Sequence, residues 1–203
     1  MPDIIILGAG GHAKVLADIV LKTGNNLLGF LDDSATGTVC SDFTVLGKIS
    51  DCVKYADKVQ FIIGIGNNAT RRKIAKQYAL DWYTAVHPSA QLALGVTLGE
   101  GTAVMANAVI NSDTVIGKHC IINSAAVVEH DNVVGDFVHV SPHATLCGVV
   151  TVGDNTQIGA GAAVIPVTNV CANCVIGAGA AVVADIDTAG IYVGVPAERL
   201  LQE

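Results

Sequence analysis

The chain has few aromatic residues, little charge and no long apolar run. Aromatic residues make up 4% of its 203 residues and charged residues 14%, although 51% are hydrophobic. A core with so few rings must be filled by Val, Ile, Leu and Ala. That suits a thin stacked structure better than a broad globule. No stretch approaches the roughly 18 consecutive apolar residues that a membrane span needs, so no membrane insertion is expected. The opening MPDIIILGAGG has neither a basic n-region nor a long apolar h-region, so a secretory signal is not expected and the cytoplasm is. Six cysteines (40, 52, 120, 147, 171 and 174) then read as reduced thiols rather than a disulfide framework.

Basic residues are absent where they would matter for nucleic acid. Residues 1–76 hold nine Lys/Arg against seven Asp/Glu, but residues 77–203 hold only Lys118 and Arg199 against eleven Asp/Glu. With no basic stripe, a nucleic-acid partner is not expected. The first part favours an anionic ligand. Any anion on the second part must use backbone N–H groups or those two basic residues.

What the chain does have is a period of six. From Val86 to Val182 an aliphatic residue opens each of seventeen consecutive hexads, and alanine fills the fifth place at 90, 108, 126, 144, 162 and 180. Six matches neither a helix of 3.6 nor a strand alternation of two. It fits a coil of three flat sides, with the first and fifth places pointing inward. Seventeen hexads make about six coils, roughly 25–30 Å long at the spacing of adjacent strands. Glycine recurs at the second place (99, 117, 135, 153, 159 and 177), where its freedom in φ is expected to serve the corner, and Pro88, Pro142 and Pro166 hold the third.

Before the hexads lies a strand (Ile4–Leu7), a glycine turn (Gly8-Ala-Gly-Gly-His12), an amphipathic run from Ala13 to about Lys22, and a strand near Leu27–Leu31 ending in Asp32-Asp33. This is a βαβ unit of the nucleotide-binding kind: glycines admit a pyrophosphate and the helix N-terminus attracts its charge. A helix near 50–56, a strand at 59–65, Gly66-Asn67 and a helix over 70–78 are expected to follow. About 85 residues leave room for one mononucleotide-binding half, which favours a nucleotide or nucleotide sugar over NAD or a purely structural βαβ. The expected organisation is a nucleotide-sugar-binding βαβ domain at 1–84 and a β-helix domain at 85–203.

Five of the six histidines fall in the hexads, none at an inward place. His87 and His119 read as surface residues. His130 has a carboxylate on each side, in Glu129-His-Asp131, and its hexad carries Asn132 where a small filler is usual. An imidazole backed by a carboxylate is a suitable general base near neutral pH. Metal competes poorly: no two of these histidines lie thirty-six residues, or two coils, apart, and Cys171 and Cys174 read as straddling the wall. Cys147 as an acyl-carrying nucleophile lacks an adjoining histidine.

The motifs Ile6-Leu-Gly-Ala-Gly-Gly-His-Ala13, Leu31-Asp-Asp33, Ile65-Gly-Asn67, Glu129-His-Asp131, His139-Val-Ser-Pro142, the hexads and Val193-Gly-Val-Pro-Ala197 together resemble the PglD/NeuD family of sugar-nucleotide acyltransferases over essentially the whole chain. The resemblance implies a small Rossmann-like βαβ domain followed by a left-handed parallel β-helix, assembled as a homotrimer with acetyl-CoA between neighbouring prisms. It implies His130 as general base and Asp131, with Glu129 in reserve, as the carboxylate that raises its basicity. It implies Gly10, Gly11, His12, Asp32 and Asp33 as nucleotide-sugar residues, and His139, Gly148, Ala160 and Ala178 as acetyl-CoA residues, Gly148 through its backbone. Gly66 and Asn67, in the second turn, join the substrate set. The activity implied is N-acetylation of the 4-amino group of a nucleotide-linked 4-amino-4,6-dideoxy sugar, with UDP preferred, for surface glycan synthesis. Acetyl-CoA is the co-substrate and no metal is required. The alternatives are O-acetylation of a sialic-acid-type sugar and a trimeric nucleotide-binding scaffold without catalysis.

Overall fold

The computed structural model describes residues 2–200. Its first part is a five-stranded sheet in the order β3-β4-β2-β1-β5. The strands are β1 (Asp3–Leu7), β2 (Asn26–Leu31), β3 (Thr38–Cys40), β4 (Phe43–Gly47) and β5 (Gln60–Ile63). All pairs are parallel except β3 with β4. β1 is apolar from Ile4 to Leu7 because both its faces are covered there. Ile4 and Ile6 pack with Leu16 and Val20 of helix α1 (Gly11–Lys22), while Ile5 and Leu7 pack with Cys52 and with Ile74 of helix α2 (Asn68–Gln77). Gly64 lets β5 approach α1, since an added Cβ would lie 2.7 Å from the Ala13 Cβ.

Two expectations for this part need correction. The helix expected near 50–56 is a short 3-10 turn at Ile49–Lys54, and the β3–β4 hairpin has no forecast in the sequence reading.

From Ala85 onward the chain winds as a prism with three parallel walls. The first wall runs Ala85–Val86, Ala103–Val104, Ile121–Ile122, His139–Val140, Gln157–Ile158, Val175–Ile176 and Ile191–Val193. The second begins at Gln91–Leu92 and the third at Thr97–Leu98, and from Ala85 to Val182 each strand pairs with one eighteen residues away, while Val175–Ile176 also pairs with Ile191–Tyr192 sixteen later. From Ala85 to Val182 each strand is two residues long, the sixth place of one hexad and the first of the next. First-place aliphatics and fifth-place alanines, from Val104 and Ala108 to Ala180 and Val182, form one continuous core. Three polar fifth places donate to the next coil: the Thr102, Thr114 and Thr156 hydroxyls reach the carbonyls of Gly117, Glu129 and Cys171.

The corners are built differently from expectation. The left-handed conformation sits at the fourth place, in Asn107, Asp113, His119, Ala125, Asp131, Phe137, His143, Val149, Asn155, Val167 and Asn173, and in Gly95, Gly101, Gly161 and Gly179. The second-place glycines serve close approach between coils instead. A Cβ on Gly99 would lie 2.5 Å from the Gly117 backbone, and one on Gly153 would lie 2.4 Å from the Ala172 nitrogen. The Cys171–Cys174 reading is also corrected: Cys171 turns toward the core, and the two sulfurs lie 3.5 Å apart.

The first part docks on the first wall. Ala85, Ala103, Met105 and Ile121 share a core with α1. Among the described residues, no helix is long and apolar enough to cross a membrane.

Candidate functional site

His130 lies on the corner between the second-wall strand Val127–Val128 and the third-wall strand Val133–Val134. Its Nδ1 is 2.7 Å from the Asp131 Oδ2, and both side chains are more than half exposed (56% and 57%). Asp131 holds the left-handed corner position at φ 58°. Its side chain thereby turns back onto the preceding ring. Glu129 is engaged elsewhere: its Oε2 accepts from the Asn111 amide at 2.9 Å, one coil down. The ring lies over Gly148 of the next coil, where an added Cβ would fall 2.7 Å from Cε1 and Nε2. The Gly148 N–H has no acceptor among the described residues.

Beneath this corner is Asn132, fully buried at the inward place where the neighbouring coils carry Thr114 and Val150. Its amide donates to the carbonyls of Glu129, His130 and Cys147, and its Oδ1 accepts from the Val150 N–H. The sequence marked Asn132 as an irregularity. The irregularity is a brace under the His130 corner.

The second cluster lies at the carboxyl edge of the sheet. Gly10 and Gly11 open α1, and an added Cβ on either would meet nothing within 4 Å, so the turn is open to a ligand. Asp32 at the end of β2 accepts from the N–H groups of Ala9, Ser34 and Ala35. Those bonds hold its pKa below the usual carboxylate range despite the opposing effect of burial, which is the largest single cause. Asp33 accepts from the Ile49 N–H and is otherwise exposed. A cleft of about 440 Å³ beside it is lined by Lys48, Ser50, Thr70, Lys73 and Tyr78 among others. Neither lysine has a carboxylate partner among the described residues. The sequence reading missed this pair, although the basic first part pointed to it. Asn67 caps α2, its Oδ1 accepting from the Thr70 N–H, and Gly66 remains at the mouth of the turn.

His12 and His139 meet at the seam between this cluster and the prism. The His12 Nε2 is buried without a hydrogen-bond partner. Burial, then the proximity of His139 and Arg71, pushes its pKa down to about 4. His139 opens a first-wall strand, its Nε2 2.9 Å from the Asn123 amide nitrogen and its ring against the Gly66 backbone. Burial and Arg71 push its pKa to about 4 as well. His119, expected at the surface, is buried: it stacks on Phe137 at 5.2 Å and meets the Trp82 ring edge-on at 4.8 Å. Aromatic neighbours from both parts of the chain close over it, and its position outside the inward places gave no sign of them.

Ala160 and Ala178, one coil apart, are both exposed, and the Gly179 N–H donates to the Ala160 carbonyl. They therefore form a small-residue ledge. The arrangement thus has two centres: an imidazole–carboxylate pair on one corner, and a glycine turn with free lysines against the opposite wall. Among the described residues no group of three or more His, Cys, Asp or Glu side chains is placed to hold a metal.

An open nucleotide-type turn joined to a hexapeptide prism with an outward imidazole defines a hexapeptide-repeat acyltransferase architecture. Residues 3–78 match the PglD N-terminal domain and residues 95–130 match the bacterial transferase hexapeptide (six repeats). The acetyltransferase domain of PglB from Neisseria gonorrhoeae superimposes with a TM-score of 0.94 at 33% identity, over 98% of this chain and 100% of that one. A variant of perosamine N-acetyltransferase from Caulobacter crescentus, in complex with CoA and GDP-perosamine, gives 0.94 at 34% identity, over 100% of this chain and 98% of that one. UDP-N-acetylbacillosamine N-acetyltransferase of Bacillus subtilis is 38% identical over 113 residues, which is 52% of each protein. The chain spans about half the length, or less, of the curated relatives it matches. It belongs to the PglD/NeuD family of sugar-nucleotide acyltransferases, and its prism is the left-handed parallel β-helix of that family.

Proposed function

We propose that this protein transfers the acetyl group of acetyl-CoA to the 4-amino group of a nucleotide-linked 4-amino-4,6-dideoxy sugar, in the cytoplasm, for surface glycan synthesis. The observation that carries the reading is the exposed His130–Asp131 pair at 2.7 Å, on a chain whose other end is an open nucleotide turn. The solved relative that binds both CoA and GDP-perosamine supports the substrate class.

In this reading residues 1–84 hold the nucleotide sugar. Gly10, Gly11, His12, Asp32, Asp33, Gly66 and Asn67 line the approach, and Lys48 and Lys73 add positive charge at the adjoining cleft. Residues 85–203 carry the chemistry; residues 1 and 201–203 lie outside the described residues. The His130 imidazole takes a proton from the amine as its nitrogen attacks the thioester carbonyl. Asp131 fixes the ring through Nδ1 and stabilises the imidazolium. The Gly148 N–H faces the developing oxyanion, and CoA thiolate leaves. Acetyl-CoA runs along the ledge of Ala160 and Ala178 past His139. Transfer is direct, with no acyl-enzyme.

The prism geometry bears on assembly. The nucleotide half lies on the first wall, and His130 lies at the corner where the second and third walls meet, opposite that wall. One copy therefore presents its imidazole away from its own nucleotide turn, and a homotrimer joins the His130 corner of one copy to the nucleotide half of the next.

The test is thiol release from acetyl-CoA across UDP-, GDP- and dTDP-linked 4-amino sugars, with UDP expected to lead and sialic acid included for the O-acetyl alternative. His130→Ala is expected to lower kcat by about 100-fold or more. Wild-type kcat in His130→Ala would remove the base, and turnover of sialic acid alone would favour the O-acetyl reading.

A further inference from the structure

Arg71 is 1% exposed, yet no carboxylate among the described residues meets it. A guanidinium has five N–H donors in a rigid plane. Here all five are used, and every acceptor is a carbonyl-type oxygen. Nη1 donates to the carbonyls of Ile65 and Gly66, at 3.2 and 3.0 Å. Nη2 donates to the Asn68 Oδ1 at 2.9 Å and the Phe137 carbonyl at 3.0 Å, and Nε donates to the His119 carbonyl at 2.7 Å. Burial pushes its pKa down to about 10, so it remains a cation at neutral pH.

The two prism acceptors are not arbitrary. His119 and Phe137 hold the same fourth-place corner on successive coils. The next coil offers the corner residue Asn155, and the Asn68 amide donates to the carbonyls of Asn155 and Thr156, at 3.4 and 3.2 Å. Three corner carbonyls stacked eighteen residues apart are thus read by one short stretch of α2. The other side of the fork holds the backbone at Ile65 and Gly66, in the turn that faces the nucleotide cleft. His139, from the prism, lies against the same Gly66 backbone.

The geometry points to Arg71 as a positioning residue: it fixes the Gly66–Asn67 turn of the nucleotide half to a ladder of prism carbonyls, and so sets where the nucleotide sugar is presented. The inference rests on the proposed reaction for its substrate, not for its geometry. Lysine offers no planar fork and cannot span both halves at once.

The experiment compares Arg71→Met, Arg71→Lys and Asn68→Ala in the full chain. KM for the nucleotide sugar and KM for acetyl-CoA are measured separately beside the melting temperature. Arg71→Met is expected to raise the nucleotide-sugar KM tenfold or more and to change the acetyl-CoA KM less than threefold. Arg71→Lys is expected to recover part of that rise, and Asn68→Ala to give a smaller rise of the same kind. A lower melting temperature with both KM values unchanged in all three would overturn the inference, because a merely structural tie predicts that result. If Arg71→Met does not fold, the other two variants carry the same comparison. If no sugar in the panel turns over, calorimetric Kd values for UDP and GDP replace KM, with the same tenfold loss expected and unchanged values overturning it. Activity retained in His130→Ala would count against the base alone and leave this outcome standing.

Discussion

At the scale of single residues the proposed catalytic corner depends on what is missing from its neighbour. The His130 ring rests on Gly148, and a methyl group there would fall 2.7 Å from Cε1 and Nε2. That distance is shorter than any ordinary carbon contact, so the ring must rotate or lift. Rotation would break its 2.7 Å bond to Asp131 and move Nε2 from the amine that the proposed reaction has it deprotonate. A displacement on the order of 1 Å at a general base costs about 100-fold in rate. Gly148→Ala is therefore expected to lower kcat by about that factor with an unchanged melting temperature, since the added methyl meets a ring that is free to move into solvent. Thiol-release kinetics and a thermal melt on the same preparation check both halves; wild-type kcat would mean that the ring does not work from this position. Asp131 belongs to the same scale. The flanking acids look alike in sequence, but only Asp131 touches the ring, because Glu129 turns to Asn111.

At the scale of elements, the seam between α2 and the prism is where polar groups are buried together. His12, His119 and His139 are each pushed from 6.5 down to about 4, with burial the largest cause. Arg71 lowers all three further, while Glu100 and Asp136 act the other way on His119. In the unfolded chain these imidazoles bind protons near 6.5. Between about 6.5 and 4 the unfolded state therefore holds more protons than the folded one, and stability falls as pH drops through that window. His119 tests the claim cleanly, since Phe fits between Trp82 and Phe137 and cannot titrate. His119→Phe is expected to melt close to wild type at pH 8 and several degrees above it at pH 5. Equal melting temperatures at both values would show that His119 has no part in the acid loss. This seam was also the least legible part of the sequence. The hexads were plain because every coil repeats one register, and β1, α1, β2 and the glycine turn were plain because their apolar spacing is local. Arg71 sits on a polar helix among Arg72, Lys73 and Lys76, and only the corner carbonyls, more than forty residues away, make it a buried residue. The fourth-place corners share a backbone shape but no chemistry, being Asn, Asp, His, Ala, Phe, Val or Gly, so no pattern announced them.

At the scale of the whole molecule, a triangular cross-section makes the proposed site a matter of assembly. The nucleotide half covers one wall, so the corner bearing His130 is the vertex opposite it. A sugar extending from the Gly10–Gly11 turn would have to cross its own packed core to reach that imidazole. The core is continuous from Val104 to Val182, leaving no path through it. Two copies side by side remove the difficulty. Complementation between inactive variants tests this directly. His130→Ala removes the base and leaves the nucleotide turn intact. Gly10→Asp places a negative charge at the start of α1, where a diphosphate would lie, and the open space around Gly10 admits the side chain without disturbing the fold. Each variant alone is expected to be nearly inactive. Co-expressed at equal levels and mixed at random in trimers, they form about a quarter of their sites from one copy's intact imidazole and the next copy's intact turn. Activity of that order, absent when separately purified trimers are simply combined, is the expected outcome. Co-expressed trimers no more active than the single variants would place both halves of the site in one chain and defeat the shared-site reading.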